Sequence, residues 1–487
     1  MFRPKQITLA ETYADCLGCL DNDKPRFLSI LDENIDIDSL IPLRFKRHFY
    51  KQEGRPREYP LHAFVWAFLI QTIFSIPTDS LLIVFLKYSR ELREHCGFEK
   101  VPDASKFTRF KQEFGDDLAD MFDSLVELTE PLCQDIDGAL ASMAIFDTSG
   151  IEAYVHENNP KYVDSVIRGL KAWKAKMDIP DGFDPYRAAY AKMPPHAAKN
   201  PKVKQMHING HFCYAFKFGI VANGLGIVRD IAFYDEAYVA AHPEIEVGKK
   251  SKSPDEDKSL ADSKALLPTL HCFFAKHPGI KPGTFLGDAA FDASDIYAGL
   301  LGENGLGFSR AFIPLNSAHD LKYPDCPLDA NGVPCCPKNP SLPMKPEGNT
   351  SHLRSGKPSL KFVCPKMKWA RGEDGKQRRR TSCEDPCSES PCGRMFYVYP
   401  EKNLRAFPGT IRGTDEWVKT YKIRGAVEKS IGHFKDSFCV AGRRTQNALT
   451  LKADLYLAGI AQQITVLLAV KIHERQYLRS LKPLIAA

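Results

Sequence analysis

Residues 421–435 read YKIRGAVEKSIGHFK, and four of them, Tyr421, Arg424, Glu428 and Lys435, follow one another at intervals of three, four and seven. At about 100° per residue those intervals fall within an arc of about 60°, one stripe of one helix. The surrounding pattern predicts a single long helix over residues 414–437. An acid flanked by a phenol, a guanidinium and an ammonium suits a place where metal ions and phosphates meet. Glu428 would bind the metal, Arg424 and Lys435 would hold phosphate oxygens, and Tyr421 would pack or hydrogen-bond against backbone. The same spacing also fits an i,i+4 Arg–Glu pair on a solvated helix.

Two further acids stand out by position. Asp147 closes Ala144-Ile145-Phe146, a buried strand over residues 142–147, with a second run at 151–155 after Gly150. Asp288 closes a short strand over residues 283–287. Carboxylates at the ends of adjacent strands can converge, and converging carboxylates stay ionised together only when a cation joins them. Hard oxygen ligands suit Mg²⁺ or Mn²⁺, and two such ions about 3.5–4 Å apart support in-line phosphoryl displacement. Taken singly, each strand-end Asp also reads as a turn cap, and Asp292 is a rival ligand to Asp288.

The remaining pattern supplies a frame. Residues 212–222 and 227–233, about Gly224-Leu225-Gly226, read as a β-hairpin. Helices at 259–274 and 293–301, a strand at 308–314 and a closing apolar helix at 453–473 complete an α/β core. Residues 157–205 look like a polar surface excursion. The opening, residues 25–130, is helical. Gly54-Arg55-Pro56 leads into an apolar helix over 59–76, Pro77-Thr78-Asp79-Ser80 is a breaker with N-cap residues, and Pro102-Asp103-Ala104-Ser105 precedes Phe107-Thr108-Arg109-Phe110-Lys111. That array suits either a helix-turn-helix or a purely structural bundle with a basic face.

From 316 to 405 periodicity is lost, and seven of the 14 Cys fall there: Cys326, Cys335, Cys336, Cys364, Cys383, Cys387 and Cys392. Four thiolates, with Cys364, Cys383, Cys387 and Cys392 as the candidate set, could close a structural Zn²⁺ site; because no pair within the insertion shows Cys-x2-Cys spacing, unliganded thiols are the favoured reading. Lys366, Lys368, Trp369, Arg371, Lys376, Arg378, Arg379 and Arg380 form a basic run with one aromatic, a candidate phosphate track. His433 and the Arg443-Arg444 pair are further candidate DNA contacts.

Composition bounds the rest. The 487 residues are 44% hydrophobic and 26% charged, with net charge +6, which fits a globular protein of two to four domains and permits a nucleic-acid partner. Thirty Phe, 18 Tyr and 4 Trp exclude global disorder. The best apolar stretch, residues 63–76, is interrupted by Gln71 and stopped by Pro77, short of the roughly 20 residues a membrane span needs. The opening residues carry no signal-peptide pattern, so a cytosolic setting with reduced thiols is expected. The sequence shows no Gly-rich phosphate loop, so no nucleotide cofactor is expected.

Together these residues resemble the DDE-class transposases of bacterial insertion sequences, in the subgroup marked by Tyr-x2-Arg-x3-Glu-x6-Lys. Tyr421, Arg424, Glu428 and Lys435 complete that signature, Asp147 in Ile145-Phe146-Asp147-Thr148-Ser149 matches the first acid, and Asp288 in Leu286-Gly287-Asp288-Ala289-Ala290-Phe291 matches the second. Ala290-Phe291 stands where the family often has Gly-Tyr. The resemblance implies an RNase H-like catalytic core over residues 131–315 and 406–487. It also implies a helix-turn-helix-like DNA-binding domain over 25–130 behind a tail of 1–24, with an irregular Cys-rich insertion over 316–405. It implies two Mg²⁺ (or Mn²⁺) ions on Asp147, Asp288 and Glu428, with Tyr421, Arg424 and Lys435 at DNA phosphates. The expected chemistry is cleavage at transposon ends and strand transfer to target DNA by a homodimer, in the nucleoid-bearing cytoplasm of a bacterium. The alternatives are a host-recruited nuclease and a catalytically decayed DNA-binding protein.

Overall fold

The computed structural model describes residues 26–51, 55–177, 183–208, 211–245, 260–281, 283–317, 320–323, 325–351, 358–399 and 403–485. Gly54 of the Gly-Arg-Pro motif and Cys16 and Cys19 lie outside them. The helices that matter here are α1 (Leu61–Ile73), α2 (Asp79–Tyr88), α3 (Ala104–Glu113), α4 (Gly115–Ala141), α5 (Pro160–Met177), α6 (Pro185–Lys192), α7 (Asp262–Lys276), α8 (Ser294–Leu301), α9 (Asp415–Tyr421), α10 (Gly425–Gly432) and α11 (Ala448–Lys471). The large sheet contains β1 (Met143–Glu152), β2 (Lys204–Ile208), β3 (His211–Ala222), β4 (Val228–Phe233), β5 (Thr284–Leu286) and β6 (Arg310–Phe312). Two compact units divide the chain: residues 1–133, 150–216 and 431–487, and residues 134–149 and 217–430.

In the first unit α1 and α11 carry no polar face, so each must be enclosed on all sides. Nearly every residue of α1 is buried, as is α11 from Thr450 to Ala469, and α11 packs on α1 and α3. Residues 431–487 therefore join the N-terminal helices and not, as the sequence pattern suggested, the stranded core. By length and composition α11, and not residues 63–76, matches a membrane span, yet 94% of its apolar window is buried inside the protein. Its hydrophobicity serves the core.

Around these helices Phe45, Phe49, Phe64, Phe68, Phe107, Phe110 and Phe114 form one cluster of ring contacts, Phe64 and Phe110 stacked at 4.9 Å. Thr78 caps α2 by accepting from the Leu81 N–H at 3.2 Å, as the breaker motif predicts. The Phe107–Lys111 run behaves differently from a DNA-reading face. Phe107 and Phe110 are core, and Lys111 is buried between Asp79 (2.7 Å) and Asp454 (2.8 Å). Residues 157–205 are likewise no polar excursion. The amphipathic helix α5 buries Ile167 and Leu170 against Ala189 of α6, and Pro160 starts α5 where no backbone donor is needed.

In the second unit the sheet order is β4-β3-β1-β5-β6. β1, β5 and β6 run parallel, while β3 and β4 form the expected antiparallel hairpin. β1 passes unbroken through Gly150, one strand where two runs were expected. Both β1 and β3 continue into the first unit, where β2 pairs with the opening of β3. Leu266, Leu270 and Phe273 of α7 and Ile296 and Leu300 of α8 close over Phe146, Phe285 and Ala311 of the sheet.

Among the described residues the insertion is β-rich, not irregular. β7 (Cys335–Cys336) pairs β8 (Asn339–Pro343), and β9 (Lys345–Ser351), β10 (Pro358–Val363) and β13 (Met395–Val398) form a second sheet. β11 (Met367–Arg371) pairs β12 (Gln377–Thr381). Such short strands leave no period long enough to read. The buried Arg412 ties the end of the insertion back to the core, donating to the carbonyls of Ile313 and Arg405 and to the Tyr297 hydroxyl. The expected helix over 414–437 is also broken. α9 passes through a 3₁₀ turn at Lys422–Arg424 into α10, and a π-helical turn occupies His433–Ser437. Gly425 and Gly432, poor helix formers, bound α10.

Candidate active site

β1 and β5 bring the first two acids together. Met143, Ala144 and Ile145 pair with Thr284, Phe285 and Leu286, an offset that sets Asp147 level with Asp288 just past the pairing. Phe146 and Phe291, each next to the acid stretch, pack edge-to-face at 5.6 Å and fix the two turns against each other. Asp288 leaves the strand into a 3₁₀ turn and accepts from the Ala290 N–H at 2.8 Å. Asp147 accepts from the Thr148 N–H at 2.8 Å. Asp288 thus caps a turn, whereas Asp147 lies within β1, which runs on to Glu152, and is not the strand-end residue that the sequence suggested.

The third acid arrives on α10, which is anchored where the Ser430 hydroxyl donates to the Gly226 carbonyl of the β3–β4 turn at 2.8 Å. Arg424, one turn before Glu428, joins all three. Its guanidinium lies 2.6 Å from Glu428 Oε1, 3.4 Å from Asp147 Oδ2 and 3.6 Å from Asp288 Oδ2. Tyr421 stacks on Trp417 at 4.7 Å, and Trp417 rests on Phe312 of β6, so the start of the stripe is built onto the sheet.

The electrostatics follow from one guanidinium serving three carboxyls. Burial pushes the Asp147 carboxyl up to about 6; Arg424 and the Thr148 N–H oppose this, and Asp288 and Asp262 add to it. Burial disfavours the Arg424 charge, yet Asp147, Tyr421 and Glu428 hold it above the ordinary arginine range. Burial, with the nearby acids, raises the Tyr421 phenol. A fourth acid, which the sequence reading missed, flanks the site. Asp262, the first residue of α7, accepts from the Thr148 hydroxyl and pairs with Lys217 of β3. Its only sequence signal is a position at a helix start, shared by many structural acids.

Several candidates have packing or ionic partners of their own. Lys435 belongs to the first unit, half-buried near Asp436, Cys213 and Glu152, and burial lowers its pKa. Asp292 is no free rival: Arg405 grips both its oxygens at 2.9 Å, and Tyr297 and the Asn316 N–H add bonds. His433 is buried against Phe438, its pKa lowered to about 4, which leaves it neutral and off the surface. Arg443 is a structural residue, donating to the carbonyls of Ile76 and Phe438. The basic run folds as the β11–β12 hairpin, with Lys368, Trp369, Arg371, Arg378 and Arg380 exposed and Arg379 turned onto Glu347.

Among the described residues, no three His, Cys, Asp or Glu side chains are grouped, as they stand, so that they could hold a metal ion. Asp147, Asp288 and Glu428 share the Arg424 guanidinium, and by donor type three carboxyls are the kind of ligand that a hard divalent cation takes. No curated protein matches the chain. Residues 17–113 are similar to a family described as Transposase domain (DUF772), a likeness that supports a transposase role.

Proposed function

We propose that the protein is a DDE-class transposase whose second unit is an RNase H-like catalytic core. In this reading it cuts the ends of its element and joins them to target DNA. The observation that carries the proposal is the convergence of Asp147, Asp288 and Glu428 on the Arg424 guanidinium. The strand order β4-β3-β1-β5-β6, with Asp147 within β1 and Asp288 just past the end of the adjacent parallel strand β5, supports the core assignment.

Asp147, Asp288 and Glu428 would hold Mg²⁺ or Mn²⁺. Bound there, the ions would supply activation of water and stabilisation of the departing 3′ oxygen. Arg424 keeps the three carboxyls together before metal arrives and is the nearest guanidinium to meet a DNA phosphate. Tyr421, held by Trp417, limits the space beside it. The exposed Lys and Arg side chains of the β11–β12 hairpin offer a track for DNA backbone.

The test uses the full-length protein, Mg²⁺ and DNA carrying the sequences that flank its reading frame. The wild type should nick and join those ends, and Asp147→Asn, Asp288→Asn and Glu428→Gln should each abolish both reactions while leaving DNA affinity in place. Retained joining in any of the three removes that residue from the site. Cutting of unrelated DNA without joining indicates a nuclease; end binding without cleavage indicates a decayed enzyme.

A further inference from the structure

The small sheets of the insertion meet at a cavity of about 210 Å³ whose walls include Cys336, Cys364, Cys383 and Cys387. Cys336 ends β7, Cys364 stands between β10 and β11, and Cys383 and Cys387 follow β12. We propose that these four thiols bind one Zn²⁺ ion, which ties the bases of the β7–β8 and β11–β12 hairpins to the β9–β10–β13 sheet. The site departs from the set that sequence spacing offered: Cys336 enters it, and Cys392 lies outside the cavity wall.

Three observations carry the assignment. The apolar core of the insertion, Cys326, Met344, Leu360, Phe362 and Val398, includes no residue of β7, β8, β11 or β12. Two hairpins thus stand outside the only hydrophobic cluster described for this module, and small modules in that position commonly depend on a metal for stability. The second observation is the donor type, since four sulfurs on one cavity match a closed structural zinc set and suit neither Mg²⁺ nor Ca²⁺.

The third is the present state of the thiols. Cys383 Sγ donates to the Asp385 carbonyl at 3.3 Å, Cys364 Sγ lies 3.8 Å from the Thr381 hydroxyl, and Cys387 is hydrogen-bonded to Cys336. Binding one Zn²⁺ would exchange the four S–H bonds for four Zn–S bonds, with the four protons released to solvent. The same wall carries Lys338, Lys366 and Arg394 together with Glu384 and Asp385, and Lys338 is paired with Asp385.

The test measures metal in the full chain, independently of any reaction on DNA. Wild-type protein purified from zinc-supplemented cells should hold about one zinc per chain by atomic emission. Co²⁺ exchanged into it should give the intense near-ultraviolet thiolate-to-cobalt band and the visible bands of tetrahedral cobalt. Cys336→Ser and Cys387→Ser should lose the zinc, and Cys392→Ser should keep it. A wild type that holds no zinc and gives no thiolate–cobalt band overturns the proposal. Loss in Cys392→Ser together with retention in Cys336→Ser overturns the ligand set. If the serine variants fail to fold, the cobalt spectrum of the wild type still decides.

Discussion

Asp147 is the least exposed of the three converging acids, with 21% of its side chain in solvent against 39% for Asp288 and 56% for Glu428. Its carboxyl, pushed up to about 6 by burial, binds a proton more tightly in the folded chain than in the unfolded one, where about 3.9 is usual. The stability this contributes is complete below about pH 4 and is lost as pH rises through 6. Asp147→Asn should therefore raise the stability of the metal-free protein at pH 8 by about 1–3 kcal/mol and leave it unchanged at pH 4, as read by thermal melts. An unchanged melting temperature at pH 8 contradicts the buried-charge account. In the wild type, metal-dependent cleavage should fall as pH drops through about 6, because the protonated acid is a poor metal ligand.

Two glycines at the level of the elements show what positions these side chains. A Cβ on Gly287 would come within 2.8 Å of the Phe291 ring and 2.9 Å of the Phe285 ring, so the strand end carrying Asp288 can close only without a side chain there. Gly287→Ala should cost about 1–3 kcal/mol and depress cleavage in a folded protein. Gly425 begins α10 with nothing within 4 Å of an added Cβ, so Gly425→Ala should raise the stability by up to about 1 kcal/mol. Urea titrations of both variants test the contrast. The β11–β12 hairpin sets Lys368 directly opposite Arg380, a like-charge pair that disfavours the ribbon on its own. With DNA phosphate on that face, Lys368→Glu should weaken duplex binding and reduce the slope of log affinity against log salt by about 1. An unchanged slope places the DNA elsewhere.

Across the whole molecule, each unit has its own dependence on buried groups. In the first, Lys111 is enclosed with Asp79 and Asp454, and burial of Asp79 is outweighed by Lys111, which holds the Asp79 carboxyl below its usual range. Lys111→Ala removes the nearest cation from two buried carboxylates, leaving Arg443 at 3.8 Å from Asp454, and should cost about 3–5 kcal/mol, visible as a lowered denaturant midpoint. Read as sequence, Lys111 belonged to a basic, aromatic face; only the packing of α3 against α11 turned it inward. Chain pattern by itself determined the alternating strands, the cap at Thr78 and the apolar helices, and singled out the acids at 147, 288 and 428 as candidates, because those signals are local periods and local backbone chemistry. Tertiary structure alone decided the rest: that Arg424 gathers three acids far apart in the chain, that Asp292 is already occupied by Arg405, that Lys435 belongs to a different unit, and that Cys336 replaces Cys392 at the thiol cavity. Each of those outcomes depends on which distant surfaces meet when the cores close, and the spacing of residues along one chain carries no record of that.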